Sequence, residues 1–288
     1  MFQNYNKHYL FRKIYMSILL ITDTQLGMAL KNVNSKQWSP KILKWSGEFE
    51  PSEKELNNLN KLHKVINDNN FEFIVHAGDI INEIDKPNDL ENYKNFTNKT
   101  GLDIHHVPGN HDVGLDPNNL SKEGLDFYNK NFGKDFYNFS WNEFELIFLN
   151  SSKFMNYSNQ ELYFEQIEFI QNTLKNFSPG KRLIIFMHHP PFIDKKDILK
   201  MGSDRIHDKD ISYWMFEEKI YTDFFNLFNN HNVEYIFTGH LHINLETKFN
   251  DTKIISTSAV GVPLGDDPSG YRIIDFENES LSYKFYEI

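Results

Sequence analysis

The strongest constraint on the fold is a recurring unit in which a short apolar run stops abruptly at polar residues and an amphipathic stretch follows. Ser17-Ile18-Leu19-Leu20-Ile21 runs into Asp23 and Gln25, and Phe71 to His76 runs into Gly78-Asp79. Ile104 to Val107 leads to Pro108-Gly109-Asn110-His111-Asp112, Leu183 to Met187 to His188-His189-Pro190-Pro191, and Val233 to Phe237 to Thr238-Gly239-His240-Leu241-His242. Runs this short read as strands, and near-continuous apolarity marks strands covered on both faces. Between them, Leu56, Leu59, Leu62, Val65 and Ile66 recur at helical spacing behind a Ser52 and Glu55 capping box. Lys86 to Lys99, Gln160 to Phe177 and Ile211 to Asn230 read as further helices, the last with its Phe224, Phe225, Leu227 and Phe228 stripe as core. Phe136 to Trp141 and Phe144 to Asn150 read as paired strands, and Leu245 to Ile288 as all β with Asn250-Asp251 as a turn.

This alternation predicts an α/β fold. With no internal repeat and no Gly/Ser- or Pro-rich linker, residues 1–288 are expected to form one domain. Its core would run from about residue 16 to 288, after an N-terminal extension over 1–15. The aperiodic stretch from Leu26 to Pro51, with Trp38 and Trp45, is either a lid over a site or a long surface excursion. Arg12 and Lys13 precede an apolar run, as in a secretory signal, but the run is short, ends in Thr22-Asp23-Thr24 and lacks a small-residue cleavage site. A buried strand starting near Met16 fits better, and no stretch is long enough to span a membrane.

The polar residues at the strand ends are metal-ligand types. In α/β sheets, sites gather outside the carboxyl ends of strands, where loops converge on fixed bases. Carboxylate, amide and imidazole donors suit Mn, Fe, Zn or Mg, and with no cysteine in the chain there is no thiolate, disulfide or Cys nucleophile. The lack of cysteine also fits a cytoplasmic enzyme. With 40 acidic against 30 basic residues and no basic cluster, a nucleic-acid duplex is excluded as the expected partner. A phosphorylated substrate would need local positive charge, which bound metal supplies. Two cations sharing a carboxylate lower the pKa of the water between them and stabilise charge on phosphoryl oxygens, while a nearby His protonates the leaving oxygen.

The ordered set Asp23-x-Gln25, Gly78-Asp79, Gly109-Asn110-His111-Asp112, His188-His189-Pro190 and Gly239-His240-x-His242 resembles the calcineurin-like metallophosphoesterase superfamily. Single members are weak signals, Gly109-Asn110-His111-Asp112 alone is moderately specific, and all five in order make a strong match. The resemblance implies a four-layer sandwich, two mixed β-sheets flanked by helices, and hydrolysis of phosphomonoesters by a metal-bound hydroxide. It also implies two divalent metal ions. Asp23 and His242 would hold the first, with Gln25 at the usual histidine position; Asp79 would bridge; Asn110, His188 and His240 would hold the second. Asn110 and His111 would contact the phosphate, His111 as the general acid or a phosphate contact, with Asp112 orienting its ring. The substrate would be a phosphorylated small molecule or a phosphoprotein. Ala77 to Ile81, Gly109 to Gly114, Leu149-Asn150-Ser151 and Ser258 to Gly261 are similar to a subtype described as protein serine/threonine phosphatases, which also carries Asp-x-Gln.

Two departures stand out. The neutral Gln25 amide is a weaker ligand than imidazole, so the first cation would be held weakly or the site would hold one metal. The Arg-Gly that follows Gly-Asp in the large protein phosphatases is replaced by Ile80-Ile81, leaving Arg205, Arg272 or no arginine to grip phosphate. The alternatives are a phosphodiesterase on the same metal core, or a catalytically weak protein that binds phosphorylated ligands. His8, His63, His105 and His231 read as packed or surface residues, and His76 and His106 as satisfied core histidines or donors behind the ligands. Of the adjacent pair, His188 is the expected ligand, because the resemblance implies the family pattern His-x-Pro with the ligand two before Pro190.

Overall fold

Strand β1 (Tyr15–Ile21) shows how the apolar runs are used. Ile18 and Leu20 enter one buried cluster, and Leu19 and Ile21 enter another. Alternate side chains of a strand point to opposite faces, so the run must lie between two layers. The computed structural model describes residues 15–29, 53–114, 119–177, 180–198, 210–264, 267–277 and 280–288. The proposed lid is outside these residues beyond Ala29, as are Trp38, Trp45, Arg205 and His8.

β1 pairs in parallel with β2 (Phe73–His76), and β2 with β3 (Ile104–His106). β10 (Gly270–Glu277) runs antiparallel to β1 and pairs with β11 (Ser280–Glu287), giving the order β11-β10-β1-β2-β3. The second sheet has the order β4-β5-β6-β7-β9-β8. Its parallel centre is β5 (Phe144–Phe148), β6 (Arg182–Phe186), β7 (Asn232–Thr238) and β9 (Thr252–Ser256). Antiparallel β4 (Tyr137–Trp141) and β8 (Leu245–Phe249) form its edges, and Asn250 at φ 52° makes the β8–β9 turn.

Ile18, Leu20, Phe73 and Val75 from one sheet meet Leu146, Phe148, Ile184, Phe186 and Phe237 from the other. Stacked rings of Phe148, Phe186 and Phe237, 5.1 and 5.6 Å apart, run across this layer, and Phe144 meets Phe276 edge-on at 5.1 Å. Each such side chain contributes roughly 1.5–3 kcal/mol on burial. The outer face of the first sheet packs on α1 (Glu53–Asp68), α2 (Pro87–Thr100) and α4 (Lys122–Phe132), which follows the single turn α3 (Asn110–Val113). The second packs on α5 (Ser151–Met155), α6 (Gln160–Lys175) and α9 (Glu218–Leu227), which follows the single turns α7 (Lys195–Ile198) and α8 (Ile211–Trp214). The result is the four-layer α/β sandwich. Among the described residues no helix is long and apolar enough to cross a membrane.

The stretch from Ile211 to Asn230 is not one helix. α8 (Ile211–Trp214) ends at an extended Met215, and α9 starts at Glu218. Trp214 and Met215 pack with Ile193 and Leu241, whereas Phe216 packs with Phe154 and Phe224. Neighbouring residues are claimed by two separate clusters, and tertiary burial overrides the helical period.

Candidate metal centre

Backbone bonds draw the strand-end loops together. Asp23 N–H donates to Gly78 O and Gln25 N–H to Asp79 O, joining the first two loops. Gly239 N–H donates to His188 O, and Gly261 N–H to Asp23 O, which ties the two sheets at one end. Of the seven non-glycine residues with positive φ among those described, five are Asp23, Gln25, Asp79, His240 and His242; the other two are asparagines, Asn142 and Asn250. Each such conformation carries strain of order 1–3 kcal/mol, and concentrated strain marks a site held by its surroundings. Gly78, at φ 93°, permits the closest approach: a Cβ there would lie 2.6 Å from His188 Nδ1 and 2.7 Å from Gly109 N.

Asp23, Asp79 and His242 each place a ligand-type atom within 4.8 Å of the other two, and so do His188, His189 and His240. All six are buried. His242 Nε2 is 3.2 Å from Asp23 Oδ1, and His188 Nε2 is 3.3 Å from Asp79 Oδ2 and 3.9 Å from Asp23 Oδ1, so the two groups adjoin. Asp79 Oδ1 accepts the His111 backbone N–H at 2.9 Å, which puts α3 and Asn110 against the bridge position.

The hydrogen bonds fix which atoms face inward. His188 Nδ1 donates to Ala77 O at 2.8 Å and His242 Nδ1 to Val262 O at 2.6 Å, leaving each Nε2 as a donor towards a cation. His240 is reversed, its Nε2 bonding Tyr213 O at 2.9 Å and Nδ1 left over. Such outer bonds set the tautomer and ring orientation of a ligating histidine. Asp23 Oδ2 accepts from Thr22 Oγ1 at 2.6 Å and from His240 N–H at 3.1 Å.

Several polar atoms here are buried without a hydrogen bond: Asp23 Oδ1, Gln25 Oε1, His188 Nε2 and His189 Nε2. Leaving one such group unsatisfied costs roughly 1–3 kcal/mol, so a cluster of them at one point fits cation binding. Electrostatics agree. Burial alone would raise the Asp79 and Asp23 carboxyls, but His188 with His111, and His242 with His188, hold them below the ordinary range. Burial opposes a charged His188, yet Asp79 and Asp23 hold it at about 9; Asp23 raises His242 likewise. Burial and the neighbouring His188 take His240 down to about 3. The pocket is an acidic well lined with imidazole, a donor set suited to borderline divalent metals.

Some expectations change. Asp112 does not orient the His111 ring. Its Oδ2 accepts from Gly109 N–H at 2.8 Å and its Oδ1 from Ile80 N–H at 3.0 Å, so it clamps two loops, while His111 Nδ1 donates to Asn82 O at 2.8 Å. Arg272 does not reach for phosphate: its guanidinium bonds Thr257 Oγ1 and Asn244 Oδ1, each at 3.1 Å. His106 is half-buried and bonded to the Tyr93 hydroxyl at 2.8 Å, and His105 packs among Phe73, Phe139 and Phe148. His76 is fully buried, its Nε2 3.0 Å from Thr24 Oγ1. Sequence reasoning passed over Asn82, whose side-chain oxygen accepts from Gln25 Nε2 at 3.3 Å. Its place three after Asp79 was the available signal.

Residues 16–244 match the model of the calcineurin-like phosphoesterase family. The serine/threonine-protein phosphatase CPPED1 of Pongo abelii is 24% identical over 258 residues, covering 85% of this chain and 75% of that protein. Its Homo sapiens counterpart is 23% identical with the same coverage. Among solved structures, a dimetal phosphatase from Danio rerio superposes with a TM-score of 0.60 at 13% identity, covering 94% of this chain and 99% of the other. The purple acid phosphatase PPD1 from yellow lupin gives 0.64 at 14% identity over 96% of this chain and 53% of its own.

Proposed function

Because this chain belongs to the calcineurin-like phosphoesterase family, and is therefore a metal-dependent phosphoester hydrolase, we propose that it acts on phosphomonoesters and that its substrates are phosphoserine or phosphothreonine proteins. The observation that carries the metal chemistry is the cluster of buried, unsatisfied donor atoms on Asp23, Gln25 and His188 around Asp79. The protein-phosphatase assignment is supported by the CPPED1 relatives, which are named as serine/threonine-protein phosphatases. In this reading residues 1–288 form one domain with its core over about 16–288.

Asp23, Gln25 and His242 would hold one divalent ion, Asn110, His188 and His240 another, and Asp79 would be shared. When bound, two such ions lower the pKa of water held between them and withdraw charge from the phosphoryl oxygens. The protein's part is positional. Thr22 and the His240 N–H fix one Asp23 oxygen so that the other faces the cluster. The Ala77, Val262 and Tyr213 carbonyls set the three imidazoles. His111, half-buried and anchored at Nδ1 by Asn82 O, turns its remaining ring nitrogen towards the reaction, and in the imidazolium form, protonated at both nitrogens, it gives that second proton to the departing oxygen. Asn110 lies beside it at the start of α3.

The test is a panel run on chelated protein reloaded separately with Mn, Mg, Zn and Fe: an aryl phosphomonoester, a bis-aryl phosphodiester, nucleotides and phosphopeptides. Metal-dependent release of phosphate from phosphopeptides is expected. Turnover of the diester in preference would select the phosphodiesterase reading. Tight phosphopeptide binding without turnover under any metal would select the binding-protein reading, which Gln25 favours.

A further inference from the structure

His189 is a buried imidazole to which the proposed function gives no task. It follows β6, next to His188, and is fully buried. Its Nδ1 lies 2.7 Å from Ser151 Oγ, and the same oxygen accepts the His189 backbone N–H at 2.9 Å. Its Nε2 is buried without a hydrogen bond. The ring centroid is 4.3 Å from that of His240 and 5.0 Å from that of His188, and the three residues bring one ring nitrogen apiece within 4.8 Å of one another.

The tautomer decides what this arrangement means. If the Ser151 hydroxyl donates to Nδ1, the proton sits on Nε2, and a buried N–H is left with no acceptor at a cost of roughly 1–3 kcal/mol. If Nδ1–H donates to Ser151 Oγ, Nε2 presents a lone pair beside two other imidazoles. A hydroxyl oxygen has two lone pairs and can accept both His189 N–H groups. Packing alone offsets neither cost, whereas a cation satisfies the second arrangement.

We propose that His189 is an additional imidazole donor to the ion held by His188 and His240, with Ser151 fixing its tautomer. This rests on the second cation position of the proposed function. Three imidazoles with the Asp79 carboxylate shift preference towards zinc and away from magnesium, which takes oxygen ligands.

Calorimetric titration of chelated full-length protein with zinc chloride, and separately with magnesium chloride, tests it. Replacing His189→Ala should weaken one class of zinc site by about 10–100-fold, the scale of losing one supporting group at a metal centre, with magnesium binding little changed. Cobalt(II) loaded into the same proteins should show a changed visible absorption in the variant. Ser151→Ala, which keeps the imidazole but releases its tautomer, should weaken the same zinc class by about tenfold. Zinc affinity and cobalt spectrum unchanged in His189→Ala overturn the inference. If that variant fails to fold, unchanged zinc affinity in Ser151→Ala overturns it instead. Failure of the unaltered protein to bind any divalent ion overturns the metal reading itself, a distinct outcome.

Discussion

Gln25 Nε2 donates to Asn82 Oδ1 at 3.3 Å, and this contact leaves Gln25 Oε1 buried with no donor. The Asn82 backbone carbonyl accepts a hydrogen bond from His111 Nδ1 at 2.8 Å. One asparagine thus holds the Gln25 amide through its side chain and the His111 ring through its main chain, the proposed weak first-site ligand and the proposed proton donor. Asn82 is itself buried, so nothing in solvent can replace it.

Removing only the side-chain half of that link is informative. Asn82→Ala frees the Gln25 amide to rotate while the main-chain bond to His111 persists. Affinity for the first cation should fall by about 10–100-fold, with the second little changed. Stepwise calorimetry checks this, and equal weakening of both sites would show that Asn82 acts through the fold at large.

Gln25→His restores the stronger imidazole donor at a position already held at φ 39°, which histidine tolerates better than bulkier residues. The first cation should bind at least about tenfold more tightly, and activity should saturate at lower metal concentration. An unchanged metal dependence would mean that Gln25 does not contribute to that site.

The layers of the fold were legible because burial on both faces leaves a plain mark: Ile18 through Ile21 have no polar interruption, and α/β sheets place chemistry where such runs stop. Helix α4 went unread although Ser121 caps it through Gly124 N–H and Leu125 and Tyr128 are buried along it, because its apolar positions are few. The break at Met215 was invisible, since Trp214 and Phe216 are equally apolar and only the packing assigns them to different clusters. At the site, the ligand-type residues could be named from sequence. Their supports could not, because Ala77 O, Val262 O, Tyr213 O and Asn82 O are backbone atoms that no residue type announces. Asp112 misled for a related reason: a carboxylate beside a histidine suggests a pair, but three loop N–H groups compete for it more closely.

His111→Ala should separate proton donation from metal binding. Loss of a general acid costs about 10²–10⁴ in rate. The loss should be large for an alkyl phosphate such as phosphoserine and much smaller for a nitrophenyl ester, whose leaving group departs unprotonated. Metal content should be unchanged. Equal losses on both substrates would assign His111 to phosphate contact instead.

Acid stability supplies a last prediction, away from the proposed metal ligands. Burial, with a further contribution from His105, takes His106 down to about 3, where the unfolded chain would have about 6.5. A base whose folded pKa is depressed is favoured neutral in the native state, so below about 6.5 the unfolded chain binds a proton that the native chain refuses. Stability from this residue is therefore complete above that pH and lost as pH falls towards 3, by at most about 1.4 kcal/mol per unit. His106→Gln keeps a partner for the Tyr93 hydroxyl, now 2.8 Å from the ring nitrogen, but cannot titrate. Urea midpoints at pH 7 and pH 5 should drop less in the variant, by up to about 2 kcal/mol in stability. Parallel losses in both proteins would show that His106 is protonated without cost and that its site on β3 is open to water.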